Sequence, residues 1–326
     1  MKKNFLAIAI FALFPILVFG SPATIQLQKN KVKNTLIYQY HFKKTEINNL
    51  FSQTKPNFSL IQSMEKPMEK GSWTKYRDFF ITPTRIQNGV NYWRKHRAML
   101  SKMQRQYGVS ASVAVSIIGI ETAYGTHLGK YPVFNTLYTL AFYYPKQAHF
   151  FQQELIQYLL LTRSNHLPIT TLKGSYAGAI GIPQFMPSSY RHYGVPGGNY
   201  RSVNLFTNNN DAIASIGNYL HLAGWQRSRI VAERMPLRAS FKESYVSTDR
   251  KLNVKPLKQF GLERILKQPG NIKVAIVALP TSTDFHYWVV FPNFRAIMQY
   301  NHSVAYAMAV TQLSQAIQKK YLREYG

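Results

Sequence analysis

The sequence of 326 residues contains no cysteine, and its 13 aspartates and glutamates face 40 lysines and arginines. Without cysteine, neither a disulfide-stapled secreted module nor a thiolate zinc site can form. The shortage of acids leaves a formal charge of +27. Such an excess calls for an anionic partner, and nucleic acid, a membrane surface or an acidic polysaccharide would all satisfy it. Apolar residues are not scarce, at 46% hydrophobic and 14% aromatic, and disordered basic tails are poor in both. The length suits one large domain or two, at roughly 100–200 residues each.

A long membrane-spanning run is also missing. Lys2 and Lys3 precede an apolar stretch from Phe5 to Phe19 that contains Pro15, and a spanning helix needs about 20 such residues. We read residues 1–20 as a secretory signal peptide cut near Gly20 and Ser21, the alternative being an uncleaved anchor. Its removal takes away only Lys2 and Lys3 among charged residues and leaves +25. With no cysteine near the cut there is no lipobox, so lipid anchoring is excluded. Export makes nucleic acid a poor partner and favours an envelope polymer or lipid head groups.

Residues 21 to about 70 are polar and lysine-rich, with a weakly amphipathic stretch from Glu46 to Phe51, and read as an extension packing on the main body. Asn91 to Tyr107 has helical spacing that Gly108 ends. Ser110 then opens the apolar helix ASVAVSIIGIETAYG, expected to run to Gly125. A further helix is expected from Lys146 to Leu161. Lys173 to Tyr193, rich in glycine and proline, should form short turns lining a site. Asp211 is expected to open a helix to His221 that closes at Gly224. NIKVAIVAL and YWVVF read as strands of a small β-containing subdomain, and Ser303 should cap a last helix through Tyr321.

Few acids make the search for a catalytic carboxyl short. Between Phe79 and Asn210 only Glu121 and Glu154 occur. Glu121 follows Val113, Ala114, Val115, Ile117, Ile118 and Ile120 at a helix C-terminus. Apolar surroundings and the negative end of the helix dipole both favour the protonated acid, the form that general-acid cleavage of a glycosidic bond requires. A capping or salt-bridging glutamate would look the same at this level. Glu154 in FFQQELIQYLL reads as a solvated or hydrogen-bonded structural residue; were both catalytic, this would be a two-carboxylate glycosidase. The histidines show no metal-ligand spacing and no HExxH, and the serines lack a nucleophile elbow. The sequons at Asn57 and Asn301 are of the kind chance supplies.

WTKYRDFFITP (73–83), YGVSASVAVSIIGIETAYG (107–125), LKGSYAGAIGIPQFMPSSY (172–190), DAIASIGNYLHLAGW (211–225) and FPNFRAIMQYNHSVAYAMAV (291–310), in this order, resemble the lytic murein transglycosylase B family. The resemblance covers most of the chain from about residue 70. It implies cleavage of the β-1,4 bond between N-acetylmuramic acid and N-acetylglucosamine in peptidoglycan, with the muramyl 6-hydroxyl as acceptor and a 1,6-anhydromuramyl end as product. In that mechanism Glu121 alone acts as acid and then base. Ser175 and Gln184 correspond to polar groups orienting the glycan and the glutamate, and Phe185 to an apolar wall. Tyr76, Tyr219, Tyr300, Asn301 and Tyr306 correspond to cleft residues that stack on sugars or hydrogen-bond their substituents.

Three departures stand out. Where some members carry an EF-hand-type calcium loop, this chain has HYGVPGGNYRSVNLF, with Asp211 as the nearest acid; calcium binding is expected to be lost and Asp211 to cap its helix. Lys146 and Gln147 replace paired arginines after Tyr144 and Pro145. The lipobox cysteine is absent.

The resemblance implies a mainly α (α+β) fold: a signal peptide (1–20), an N-terminal extension and helical region (21–107), a lysozyme-like catalytic core (108–228), a small β-containing subdomain (229–290), and a cleft-lining segment with the C-terminal helix (291–326). The expected function is that of an exported, periplasmic peptidoglycan lytic transglycosylase needing no cofactor or metal. Its expected partners are glycan strands and the anionic envelope surface, with no nucleic acid and no transmembrane span after cleavage. The alternatives are a lysozyme-like muramidase and a non-catalytic peptidoglycan-binding protein.

Overall fold

A computed structural model describes residues 21–65, 72–235, 244, 246–247, 252, 254–256, 258, 272–281 and 284–326. The expected signal peptide and parts of the expected β-containing subdomain lie outside these residues.

The first helices start with strong local signals. Ser21 accepts from the Thr24 amide and Pro22 sits at the first position of α1 (Pro22–Asn34), where its missing N–H and fixed φ cost nothing. A π-helical turn, Thr35–Gln39, leads to α2 (Lys44–Gln53) and α3 (Ser59–Glu65). Val32, Leu36, Phe42, Ile47, Phe51 and Ile61 are buried in the same hydrophobic core as the middle of the chain. Phe51 packs edge-on against Phe134 and Tyr138, and burial of such a side chain contributes about 1.5–3 kcal/mol. The amphipathic stretch seen around Glu46 to Phe51 is the buried face of α2.

Next come α4 (Trp73–Phe80), α5 (Pro83–Lys95) and α6 (Arg97–Tyr107). The expected single helix from Asn91 to Tyr107 is thus two. His96 breaks it, with φ −108° and ψ 22°, its ring 4.4 Å from that of Tyr92. Periodicity carries across such a one-residue break, so it left no trace in the apolar pattern. Gly108 ends α6 at φ 74° as expected.

Helix α7 (Ala111–Thr122) is buried along nearly its whole length. Ser110 sits at its N-cap position, but its hydroxyl pairs with Ser112, and the Ala111 amide donates to Gln104 Oε1. Helix α8 (Val133–Tyr143) and helix α9 (Ala148–Ser164) follow, with a 3₁₀ turn at Pro145–Gln147 between them. In that turn Lys146 forms an ion pair with Glu65 at 2.7 Å. Two-residue strands β1 (Tyr131–Pro132) and β2 (Lys173–Gly174) pair antiparallel. The glycine-rich segment then makes turns as expected and ends in α10 (Pro187–Tyr193), followed by α11 (Asn209–Leu222).

The expected strands form one antiparallel sheet, in the order β3 (Ala232–Arg234), β6 (Phe285–Val290), β5 (Lys273–Pro280), β4 (Lys255–Pro256). Side-chain alternation along strands explains why β5 and β6 read as continuous apolar runs. Ala275, Val277, Trp288 and Val290 face the main core, while Val274, Ile276, Tyr287 and Val289 form a second small core with Met235 and Phe291. Helix α12 (Pro292–Tyr300) and helix α13 (Val304–Tyr325) complete the chain, and Ser303 Oγ accepts the Tyr306 amide as the sequence predicts. Among the described residues no helix is long and apolar enough to cross a membrane.

Candidate active site

The site is built where α7 ends. Helices α7 and α13 run antiparallel. Ser112 Oγ donates to Gln318 Oε1 at one end, Ser116 Oγ to the Val310 carbonyl in the middle, and Tyr306 Oη to Glu121 Oε1, at 2.5 Å, at the other. Glu121 itself is half-buried, at the C-terminal tip of a rod whose preceding turns are apolar and enclosed.

The helix stops at Thr122 rather than at Gly125, as the sequence had suggested. Ala123, Tyr124 and Gly125 all take positive φ, at 47°, 66° and 87°, a conformation that costs non-glycine residues free energy and persists where the surroundings over-determine it. Two contacts do so here. Thr122 Oγ1 donates to the Ile182 carbonyl and accepts the Gly125 amide. Tyr124 folds back along α7 and donates to the Arg85 carbonyl at 2.7 Å. It fits because position 119 is glycine, where a Cβ would stand 2.6 Å from the Tyr124 hydroxyl. Thr122 and Tyr124 were not singled out from the sequence, although both lie in the ETAYG run beside the candidate acid.

Phe185 (2% exposed), Tyr219 (9%) and Tyr306 (2%) come together with Tyr300. The Tyr300 and Tyr306 rings are nearly parallel, 6.3 Å between centroids. Tyr193, another residue not singled out, extends the wall with its ring 4.3 Å from that of Tyr219. Their hydroxyls are mostly engaged. Tyr219 Oη donates to the Gln299 carbonyl and Tyr300 Oη to the Pro183 carbonyl, both at 2.5 Å. Burial first, and then the Glu121 charge, push the Tyr300 and Tyr306 phenols well above their ordinary value, so at neutral pH both remain O–H donors. Tyr76 is buried against Trp73 and Phe80 and close enough to Tyr306 to raise it further.

Gln184, at φ 49°, directs its amide to the Gly181 and Leu128 carbonyls. It thereby ties the turn carrying Phe185 to the loop after Glu121. Ser175 Oγ accepts from the amides of Ala177 and Ala179, so its side chain shapes its own turn. That turn lies flat against the loop after Glu121: a Cβ at Gly129 would fall 2.1 Å from the Gly174 carbonyl carbon. Asn301 ends α12, partly exposed. A cavity of about 430 Å³ opens beside Tyr193 and Tyr219, with Arg295 and Gln299 in its lining.

Glu154, the other central acid, is 3% exposed and accepts from Ser188 N and Oγ at 2.9 and 2.5 Å. Burial raises its carboxyl and the two bonds from Ser188 oppose the rise. It holds the start of α10, the structural role expected for it.

Asp211 does not cap α11; Asn208 does, accepting the amides of Asn210 and Asp211. Asp211 is fully buried and clasps the preceding loop. Oδ1 accepts from Gly197 N at 2.8 Å and from Tyr200 Oη, and Oδ2 from Asn204 N at 2.8 Å. The position closest to an EF-hand-type loop therefore offers one carboxylate already surrounded by donors. A hard cation needs several oxygen ligands, and among the described residues no group of three His, Cys, Asp or Glu is placed to hold a metal. These residues do not fit calcium.

The sequence profile described as "Transglycosylase SLT domain" matches residues 26–315. Membrane-bound lytic murein transglycosylase B of Escherichia coli (strain K12) is 35% identical over 297 residues, which are 86% of this chain and 80% of that protein. The E. coli lytic transglycosylase SLT35 in complex with calcium superimposes with a TM-score of 0.80 at 34% identity, covering 90% of this chain and 94% of that one. SltB3 of Pseudomonas aeruginosa in complex with NAG-NAM-pentapeptide gives 0.79 at 25% identity, over 90% and 79%. By this likeness over most of its length, in sequence as in fold, the chain belongs to the SLT-domain lytic murein transglycosylases.

Proposed function

We propose that this lytic murein transglycosylase cleaves peptidoglycan strands between N-acetylmuramic acid and N-acetylglucosamine with Glu121 as the one acid–base group. Glu121 donates its proton to the glycosidic oxygen as that bond breaks. Its carboxylate then takes the proton of the muramyl 6-hydroxyl as the hydroxyl oxygen bonds to the anomeric carbon, which closes the 1,6-anhydro ring and returns the acid. The observation that carries this reading is the pairing of the Glu121 carboxyl, at the tip of a buried helix, with Tyr306. Among the described residues, Glu154 is already bonded by Ser188 and Asp211 by the Gly197 and Asn204 amides, so neither of these acids serves the water activation of an inverting hydrolase or the covalent step of a retaining one.

Tyr306, by donating to Oε1, orients the Glu121 carboxyl. Phe185, Tyr219 and Tyr300 provide the apolar wall, Gln184 and Ser175 shape the turns beside it, and Tyr76 and Asn301 complete the cleft. Because the Tyr219 and Tyr300 hydroxyls already donate to backbone carbonyls, these residues meet sugar with ring faces and acceptor oxygens rather than with free donors. The excess of basic residues supports attachment to the anionic envelope, and the leader-like first twenty residues support a periplasmic location.

Mass spectrometry of muropeptides released from purified peptidoglycan tests the reaction. Products ending in 1,6-anhydromuramic acid are expected. Reducing ends alone would overturn the transglycosylase reading in favour of a muramidase, and tight sacculus binding with no product would favour the binding protein. Tyr306→Phe removes a hydrogen bond to the charged carboxylate while keeping the ring. We expect turnover, read as release of anhydromuropeptides, to fall about tenfold or more. An unchanged rate would separate Tyr306 from Glu121.

A further inference from the structure

A second cavity, of about 400 Å³, lies at the other end of α7. Ser112 lines it, and the nine residues from Ser112 to Glu121 place it about 14 Å along the helix at 1.5 Å per residue. Its volume falls within the roughly 300–1,000 Å³ of small-ligand pockets. The lining is rich in hydroxyls and amides, among them Ser228, Gln315 and Gln318, and it contains Arg227, Arg229 and Trp225.

A cavity of about 460 Å³ adjoins it, sharing Gln104 and Arg227 and adding Arg97, Arg105 and the aromatic residues Trp93, Tyr321 and Tyr325. Among the described residues the two linings hold Arg97, Arg105, Arg227 and Arg229 and no Asp or Glu side chain. Arg229 is already engaged by a further interaction, so the cationic face rests on the other three. This is a built surface rather than a loose loop. Asn293, fully buried, accepts the Gln226 amide and donates to the carbonyls of Gln226 and Arg229. Trp225 Nε1 donates to the Gly108 carbonyl, and Arg227 donates to the Arg105 carbonyl. The loop that presents Arg227 and Arg229 is thus fixed at both its ends.

We propose that these joined cavities form a second, non-cutting site for an anionic glycan strand, a neighbouring strand of the same polymer that the catalytic cleft cuts. The proposal rests on the peptidoglycan reading of the cleft. Hydroxyls and amides in a concave lining match polyhydroxylated, acetamido-bearing sugars, aromatic faces match pyranose rings, and arginines match carboxylates on the polymer. Two cavities meeting at shared residues suit an extended occupant. A flat lipid surface would make little use of the concavity. Holding one strand while cutting another keeps the enzyme at high effective concentration on the mesh between turnovers.

Binding is measured by co-sedimentation with purified sacculi in the Glu121→Gln background, and turnover separately on a short soluble muropeptide oligomer with Glu121 intact. Arg97→Gln/Arg227→Gln is expected to weaken sedimentation about tenfold and flatten its salt dependence, with soluble turnover and melting temperature unchanged. Arg97→Lys/Arg227→Lys should retain most of the binding. Undiminished sedimentation of the glutamine variant would overturn the proposal, as would an equal loss of soluble turnover. So would arginine-dependent binding to mixed phosphatidylcholine and phosphatidylglycerol vesicles without arginine-dependent binding to sacculi, which would assign the site to lipid head groups. The anhydro-product assay is independent: anhydro products with arginine-independent sedimentation remove only this site, and arginine-dependent sedimentation without anhydro products removes only the reaction.

Discussion

Glu121→Gln should release no anhydromuropeptides above a loss of at least about a thousandfold, within the range that general acid–base groups contribute. The amide keeps the shape of the carboxyl and an oxygen to accept from Tyr306, so the clamp at the end of α7 survives. It cannot give a proton to the leaving oxygen, nor take one from the muramyl 6-hydroxyl, so both halves of the reaction fail together. Helix α7 is buried mainly through Val113 to Gly119, which the substitution leaves untouched, and the melting temperature should stay within a few degrees. Mass spectrometry and thermal denaturation on one preparation check both halves of this prediction. Retention of a tenth of the wild-type rate would take Glu121 out of the mechanism.

The second large effect is on stability. Asp211→Ala takes the acceptor from the buried Gly197 amide and the partly buried Asn204 amide, while the Tyr200 hydroxyl, on an exposed side chain, can turn to water. Each stranded buried donor costs about 1–3 kcal/mol, with partial relaxation reducing the total, so we expect a loss of about 2–4 kcal/mol. At roughly 2–4 °C per kcal/mol for a large domain, the melting temperature should drop by about 4–16 °C. Activity should decline as well, because the clasped loop supports the site from behind. Leu205 accepts the Ile182 amide at 2.8 Å, and Ile182 also accepts from Thr122, the residue next to Glu121. Adding calcium chloride should neither raise the melting temperature of the wild-type protein nor rescue the variant. A calcium-dependent rise in the wild type would show a metal site where the geometry leaves no room for one.

Much of the chemistry was legible because the sequence is so poor in acids. Scarcity reduced the central candidates to two, and burial of Glu154 against Ser188 agrees with the structural role its mid-helix context suggested. The strands, the last helix and its Ser303 cap were legible because each rests on local chemistry, namely β-branched runs or a capping hydroxyl. The Asp211 clasp was not, because two of its three donors are backbone amides in a loop and backbone amides carry no residue signature. The partners of the tyrosine hydroxyls were hidden for a similar reason. A sequence shows that a phenol can donate, but not that the Gln299 and Pro183 carbonyls will accept that hydrogen bond. The ending of α7 was missed because positive φ is expected at glycine, whereas here Ala123 and Tyr124 take it first under the hold of Thr122 and Arg85.

The antiparallel seam between α7 and α13 also sets an order in time. Tyr306 is 185 residues downstream of Glu121, and at roughly 5–20 residues per second of synthesis it emerges about ten to forty seconds later. Until it does, the glutamate lacks its clamp and α7 lacks the helix that covers one side of it. A nascent or prematurely terminated chain therefore carries the acid of a wall-cutting enzyme without the means to hold it in place. Helix α13 thus completes the setting of an acid that α7 carries from the start, and copies truncated before Tyr306 are expected to release no anhydromuropeptides from purified peptidoglycan.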